Sequence, residues 1–436
     1  MKMIYRIMRC ESASGLLLRC LAACVLALLS AVPVRASAAD TALDLSGLIE
    51  EALRNSPEIL AYRSRELAAQ YRVPQSGSLP DPMFMVGYLN QGTDDLYTFN
   101  DKTSPDSQWM FTLSQAVPFP GKRSLREETS LKEAGAQTAM YNAVRLRVTE
   151  KIRTQYYDLF LARKKTDFIR ESKGLFSRVE EAALSRYSSG MAPQQDALMA
   201  QTEKYMLLEK EEMLGQKILS LEALLNAAAG RDIEAPIMVT TEISSLPVDT
   251  DCSRHIGIAN GSSPEIIAAG SMAGAARSKA QLSEKEYYPD FTLSANYFEK
   301  APGLDDMWSL TAAVNVPIFY KKKQRQAVSE AKAVMQEAEH GLNTVRLMVS
   351  ASIKERCAMM NSAARLMNLY RNGLIPKAYQ DFELSLAGYV SGRGEAAAVI
   401  SRLNAFISFE TLYWEQFVER EKAAAALLTL TGQETR

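Results

Sequence analysis

The sequence predicts an α+β fold: a long α-helical barrel joined to a transmembrane antiparallel β-barrel, with four strands per chain and closure supplied by further copies. Three observations predict it. The chain repeats its own layout at a spacing of roughly 200 residues. Ser56-Pro57-Glu58-Ile59 returns as Ser263-Pro264-Glu265-Ile266, Val117-Pro118 as Val316-Pro317, and Tyr187, Ser189 and Gly190 as Tyr389, Ser391 and Gly392. Each unit holds two segments alternating with period two, the signal of a strand with one apolar face. Each also holds helical stretches several times the usual length, which a globule could not bury.

The elements follow in order. Residues 1–38 read as an export signal: Lys2, Arg6 and Arg9, an apolar run strongest over Cys20–Val34, then the small residues Ala36-Ser37-Ala38. Within the run, Leu21-Ala22-Ala23-Cys24 resembles a lipobox, which would make Cys24 a lipidated first residue; cleavage before Ala39 leaves no apolar stretch behind and is the reading adopted. The first repeat spans 39–230, with a helix, a hairpin over 80–117 and long helices over 124–186 and 194–229. A linker with two prolines covers 231–254. The second repeat spans 255–432, with a helix, a hairpin over 289–317 and long helices over 323–388 and 395–430; residues 433–436 are a tail.

In Gln108–Val117, Trp109, Phe111, Leu113 and Val117 share one face and Thr112 and Ser114 the other; Phe291–Tyr297 and Trp308–Val316 alternate in the same way. Met83–Leu89 is apolar on both faces, so its inward side stays open. Segments of this length can cross an outer-membrane hydrocarbon layer when tilted, apolar side to lipid. Tyr88, Trp109, Tyr297 and Trp308 suit the membrane interface, and the polar loops Gln91–Pro105 and Glu299–Asp306 suit the outside. Both hairpins exit through proline, at Pro118, Pro120 and Gly121 in the first and Pro317 in the second; proline cannot donate to a sheet ladder. The basic clusters behind, Lys122-Arg123 and Lys321–Lys323, are expected to snorkel at the inner boundary.

At 1.5 Å per residue the 124–186 helix would run roughly 94 Å. Its counterpart is interrupted by Gly373 and Pro376, which can kink or break it. Stripes such as Val148, Ile152, Tyr156, Leu159 and Ala162, or Leu198, Tyr205, Leu208 and Met213, indicate helix-on-helix packing.

Composition excludes several classes. With 47% apolar residues among 436 the chain is not disordered. Removing the signal leaves an acidic excess, and no basic stripe interleaved with aromatics marks a nucleic-acid partner. No cofactor is implied. His255 and His340 lack ligand spacing, no Cys-x-x-Cys occurs, and the methionine pairs Met83/Met85 and Met359/Met360 fit core filling better than Cu(I) binding. Cys252 and Cys357 remain beyond the signal; a bridge between them is open, but no disulfide framework is implied. No acid–base or nucleophile constellation is present, so an enzyme is not expected.

These residues and their order resemble the outer membrane efflux protein family, the TolC-like exit ducts. Val117-Pro118-Phe119-Pro120-Gly121-Lys122-Arg123 is similar to the strand exit of the branch serving heavy-metal and RND-type pumps. Tyr187-Ser188-Ser189-Gly190, with Asp196, Leu198, Ala200 and Gln201 behind it, is similar to the family's helix-tip signature. The resemblance implies a homotrimer with a twelve-stranded barrel in the outer membrane, a periplasmic helical tunnel, and a periplasmic adaptor and inner-membrane transporter as partners. It implies a passive duct for metal ions, drugs or other small molecules. It also implies a constriction at the tips, built from the turns at Gly190 and Gly392 and from Asp196, Arg393 and Glu395. The aspartates that ring the constriction in the second unit of other members fall here on Ala398 and Ser401, a departure. The competing reading of the whole chain is a periplasmic or surface-attached helical scaffold, and the competing reading of Asp196 is an acid favoured by a helix dipole.

Overall fold

The computed structural model describes residues 44–90, 107–240, 243–300 and 303–434. The export signal, Cys24 and the loop Gln91–Pro105 lie outside the described residues.

Helix α1 (Leu45–Asn55) starts where the Asp44 carboxylate accepts from the Gly47 N–H at 2.9 Å, and it buries Leu48, Ile49 and Ala52. It stops at Ser56 because the following proline disfavours helical backbone there. Pro57 then opens α2 (Pro57–Gly77), since the first helical position needs no N–H. Strands β1 (Met83–Leu89) and β2 (Gln108–Val117) follow, then α3 (Lys122–Ser188), 67 residues long, and its return α4 (Gln194–Ala229). The second unit repeats the plan. Asp251 caps α5 (Cys252–Ser262), Pro264 opens α6 (Pro264–Lys285), and β3 (Phe291–Glu299) and β4 (Met307–Val314) form the second hairpin. Helices α7 (Gln324–Leu369), α8 (Ile375–Val390) and α9 (Ala396–Thr431) complete the chain.

Between α7 and α8, Tyr370–Leu374 forms one π turn, in which the Ile375 N–H donates to the Tyr370 carbonyl five residues back. Pro376, one residue on, has no N–H and its ring would collide with the Asn372 carbonyl, so a wider turn absorbs the mismatch while the helix continues.

Each return helix ends on a left-handed glycine seated in the break between that unit's first two helices. Gly230 has φ 73° and Gly432 φ 72°. A Cβ on Gly230 would lie 2.6 Å from the Asn55 carbonyl oxygen, and one on Gly432 would lie 2.2 Å from that of Ser262. Glycine is required at both for conformation and for space.

Three apolar clusters hold the body. One packs α1 against α3, α4 and α9 through Leu48, Ile152, Tyr156, Phe160 and Leu225. A second, toward the tips, holds Phe176, Val179, Phe382, Tyr389 and Leu403. A third joins α5, α6, α7 and α9 through Ala259, Ile266, Ile353, Cys357 and Leu427. The stripe Val148, Ile152, Tyr156, Leu159 and Ala162 is buried, whereas Leu198, Tyr205, Leu208 and Met213 on α4 are exposed, so among the described residues that second stripe is left uncovered.

The fold class needs correction. The four strands form one open antiparallel sheet in the order β1-β2-β3-β4, not a closed barrel. Among the described residues β1 pairs only with β2 and β4 only with β3, and four twisted strands curve too little to meet their own edges. No described helix is long and apolar enough to cross a membrane.

Candidate functional site: the inverted sheet and the helix tips

The sheet carries its apolar residues outward. Residues directly opposite in an antiparallel ladder share a face. The register Phe84↔Leu113, Val86↔Phe111 and Tyr88↔Trp109 therefore puts Phe84, Val86 and Tyr88 with the apolar residues of β2, which settles the face that the β1 sequence leaves open. Leu113↔Ala295, Ala295↔Leu310 and Tyr297↔Trp308 extend the same face across β3 and β4. Trp308 is 75% and Leu310 74% exposed, while Thr112 and Ser114 on the opposite face are buried. That face is laced by side-chain hydrogen bonds: the Thr112 hydroxyl donates to Asn296 Oδ1 at 2.8 Å, and Asn296 Nδ2 donates to Ser309 Oγ at 3.1 Å. Tyr88, Trp109, Tyr297 and Trp308 lie at one end of the sheet, with the Tyr88 and Trp109 rings 5.1 Å apart.

At the other end the strand exit is locked by charge. Pro118 ends β2, and Gly121 at φ 92° turns the chain into α3. Lys122 does not snorkel, correcting the expectation for this cluster: its side chain is 1% exposed and its ammonium reaches Glu286 at 3.1 Å and Asp290 at 2.9 Å. It also donates to the Tyr288 carbonyl at 3.0 Å, and Phe119 stacks on Tyr288 at 4.5 Å. Burial pushes the Asp290 carboxyl up, but the Phe119 N–H together with Lys122 and Arg126 outweighs it and holds the group below its usual value. Lys321, Lys322 and Lys323, after Pro317, are exposed.

At the far end of the helices the two tip turns meet. Gly190 (φ 71°) and Gly392 (φ 82°) close them, with the Met191 N–H donating to the Arg186 carbonyl and the Arg393 N–H to the Gly388 carbonyl. Across the turns, Arg186 donates to the Tyr389 carbonyl at 2.8 Å and to the Met191 carbonyl at 3.0 Å, and its guanidinium lies 4.4 Å over the Tyr389 ring. The buried Tyr389 hydroxyl donates to Asp196 Oδ2 at 2.8 Å. Burial first, then the bond to Asp196, pushes the Tyr389 phenol up to about 12. One clasp thus ties α3, α8 and the first turn of α4.

Asp196 enters this clasp. Glu395 and Arg393 are exposed on the second turn, outside it, as are Ala398 and Ser401. Sequence reasoning missed Arg186 and Tyr389. The one sequence signal was a break in the repeat, since the positions matching Arg186 and Asp196 in the second unit are Gly388 and Ala398; that Tyr187 is 46% exposed while its counterpart Tyr389 is fully buried emerges only from the structure. A cavity of about 730 Å³ lies elsewhere, between α1, α3 and the residues Thr240, Ile243, Ser244 and Leu246, and includes none of these tip residues.

The family model described as "Outer membrane efflux protein" matches residues 48–231 and 256–432. No individually characterised sequence matches. Among solved structures, the outer membrane protein VceC from Vibrio cholerae is 19% identical, covering 90% of this chain and 97% of its own, with a TM-score of 0.78. CusC is 13% identical over 90% of this chain and 93% of its own, TM-score 0.78. The open-state MtrE channel from Neisseria gonorrhoeae is 14% identical over 89% of each chain, TM-score 0.74. At these identities the structures speak for the fold, and the family model, matching both units, speaks for membership. The chain belongs to the outer membrane efflux protein family.

Proposed function

We propose that the protein is the passive exit duct of a tripartite efflux system, seated in the outer membrane with its helical body in the periplasm. The observation that carries this is the inverted sheet: apolar residues outward, a hydrogen-bonded polar face inward and aromatics gathered at one end, an arrangement suited to lipid on one side and water on the other. Outer-membrane lipids are its first partner. The exposed stripe Leu198, Tyr205, Leu208 and Met213 supports packing against further copies in a homotrimer, and the tip turns at Gly190 and Gly392 are the surface offered to a periplasmic adaptor, beyond which lies the inner-membrane transporter. Metal ions, drugs or other small molecules are the cargo class. Reconstituted protein is expected to give discrete ion conductance in planar bilayers; a helical scaffold would give none, and a silent bilayer with correctly inserted protein would end the duct reading.

The constriction is proposed at the tips, held by the clasp of Asp196, Tyr389 and Arg186, with Glu395 and Arg393 adding exposed charge beside it. Tyr389→Phe removes the hydroxyl while keeping the ring under Arg186, at a cost of about 1.5–3 kcal/mol for a hydrogen bond to a charged acceptor. It is expected to raise closed-state conductance several-fold without altering assembly. The Tyr389 phenol is raised from the ~10 of free tyrosine. The clasp therefore gives its full stabilisation below about pH 10 and loses it as the phenol ionises toward pH 12. Leakage should be flat through neutral pH and rise in that alkaline window for the parent protein but not for Tyr389→Phe. An unchanged closed state in the variant would return Asp196 to an ordinary helix-start acid.

A further inference from the structure

Cys252 and Cys357 stand far apart in sequence, yet both belong to the apolar cluster that joins α5 to α7. Cys252 is the first residue of α5, where the linker from the first unit ends, and it is partly exposed. Cys357 is fully buried in the middle of α7. Their side chains are neighbours in that cluster, the Cys357 thiol interacting with the Cys252 side chain, and the Cys252 S–H points at the Thr250 carbonyl at 3.9 Å. A neighbouring thiol pair in a body exposed to an oxidising compartment has the partner and the conditions for a disulfide to form and persist.

We propose that Cys252 and Cys357 are linked by a disulfide in the mature protein, fastening the linker end of the second unit to the middle of α7. The inference rests on the placement proposed above, with the helical body in the periplasm. The oxidant is a disulfide-bearing donor. The Cys252 thiolate, the partner that solvent reaches, attacks one donor sulfur; the donor S–S bond breaks, one donor thiolate leaves, and a mixed disulfide remains on Cys252. Cys357 then gives up its proton to water and attacks the Cys252 sulfur. The mixed bond breaks, the second donor thiolate leaves, and the Cys252–Cys357 bond forms. Two cysteine thiols are oxidised and one donor disulfide is reduced to two thiols, the protons lost from Cys252 and Cys357 ending on the two donor sulfurs.

The buried partner sets the pace. Burial, then the contact with Cys252, pushes the Cys357 thiol up to about 12, so its reactive thiolate is scarce at neutral pH. Closure should quicken about tenfold per pH unit below that value, whereas the first attack depends on Cys252 alone.

The test uses the full chain extracted from outer membranes without reductant, with thiols blocked by a maleimide during unfolding. Neither cysteine is expected to be labelled, both should be labelled after reduction, and peptide mapping should recover a linked pair of peptides. Cys357→Ser should leave Cys252 labelled or held as a mixed disulfide, while Cys252→Ser should leave Cys357 unlabelled until the protein unfolds. Reduced, folded protein given a disulfide donor should close the bond, faster at pH 9 than at pH 7. Labelling of both cysteines in membrane-derived protein without reductant would overturn the proposal, as would failure of the folded protein to close with donor. Recovery of the chain in the cytosol would instead overturn the placement, and the closure assay would still decide the disulfide.

Discussion

Replacing Gly432 by alanine is expected to destabilise the protein by about 2–5 kcal/mol. This combines a left-handed conformation that costs an L-residue roughly 1–2 with overpacking that costs about 1–3. The new Cβ would sit 2.2 Å from the Ser262 carbonyl oxygen, a backbone atom that cannot swing aside. The same region is tied by the Ser262 hydroxyl, which donates to the Thr431 carbonyl at 2.6 Å, so displacement would also strain that bond. Gly392→Ala is the matched control. Its φ is also positive, at 82°, but nothing lies within 4 Å of the added methyl, so only the conformational part should appear. Thermal unfolding in detergent compares the two. Equal losses would mean that crowding at the Ser262 joint is relieved by a small shift, and the steric argument would fail.

Lys122→Met should cost about 3 kcal/mol, toward the lower end for breaking a buried ion pair. The lysine is 1% exposed, but its partners Glu286 and Asp290 are 40% and 37% exposed, so water can partly recover the two carboxylates once the ammonium is gone. The expected readout is a lower unfolding midpoint with the strand exit affected first, since Asp290 also receives the Phe119 N–H at 2.8 Å. The neighbouring Arg123→Met removes the same charge from an exposed side chain that donates to the Gly77 carbonyl at 2.9 Å, and should cost about 1 kcal/mol or less. If the two variants behave alike, Lys122 is not the anchor of the exit.

These two sites show where the sequence can be read and where it cannot. The prolines after Val117 and Val316 and the alternation through Gln108–Val117 are local, and local rules of backbone geometry are enough to interpret them. So is the run of α3, which contains no proline. Met83–Leu89 defeats the same reasoning because both of its faces are apolar; only pairing with β2 chooses between them. Lys122 was read as a boundary lysine because its acidic partners lie on another unit, and no spacing rule links positions 122, 286 and 290. The interruption at Gly373 and Pro376 is visible in sequence, but whether it breaks the helix or widens one turn depends on the packing of Tyr370 and its neighbours. Asp196 can be found from the tip pattern, whereas its bond to Tyr389 cannot, because the repeat predicts equivalence for Tyr187 and Tyr389 and the structure buries only one. The chain itself holds one open sheet, and closure of a barrel, expected from further copies, is a property that a single chain does not carry.

The order of the sheet also sets an order of events during folding. β1–β2 and β3–β4 are hairpins whose strands are near neighbours in sequence, so each can form on the microsecond scale of such elements. The middle seam is different: Val117 must find Phe291, roughly 170 residues away, at an entropic cost that no local contact offsets. That seam can register only after α3 and α6 have docked and brought the two strand exits together, with Lys122 reaching Glu286 and Asp290 across the same junction. The sheet should therefore be the last part of the chain to mature, its two halves waiting on the helices, and slow-folding variants should accumulate with hairpins formed and the seam between them still open.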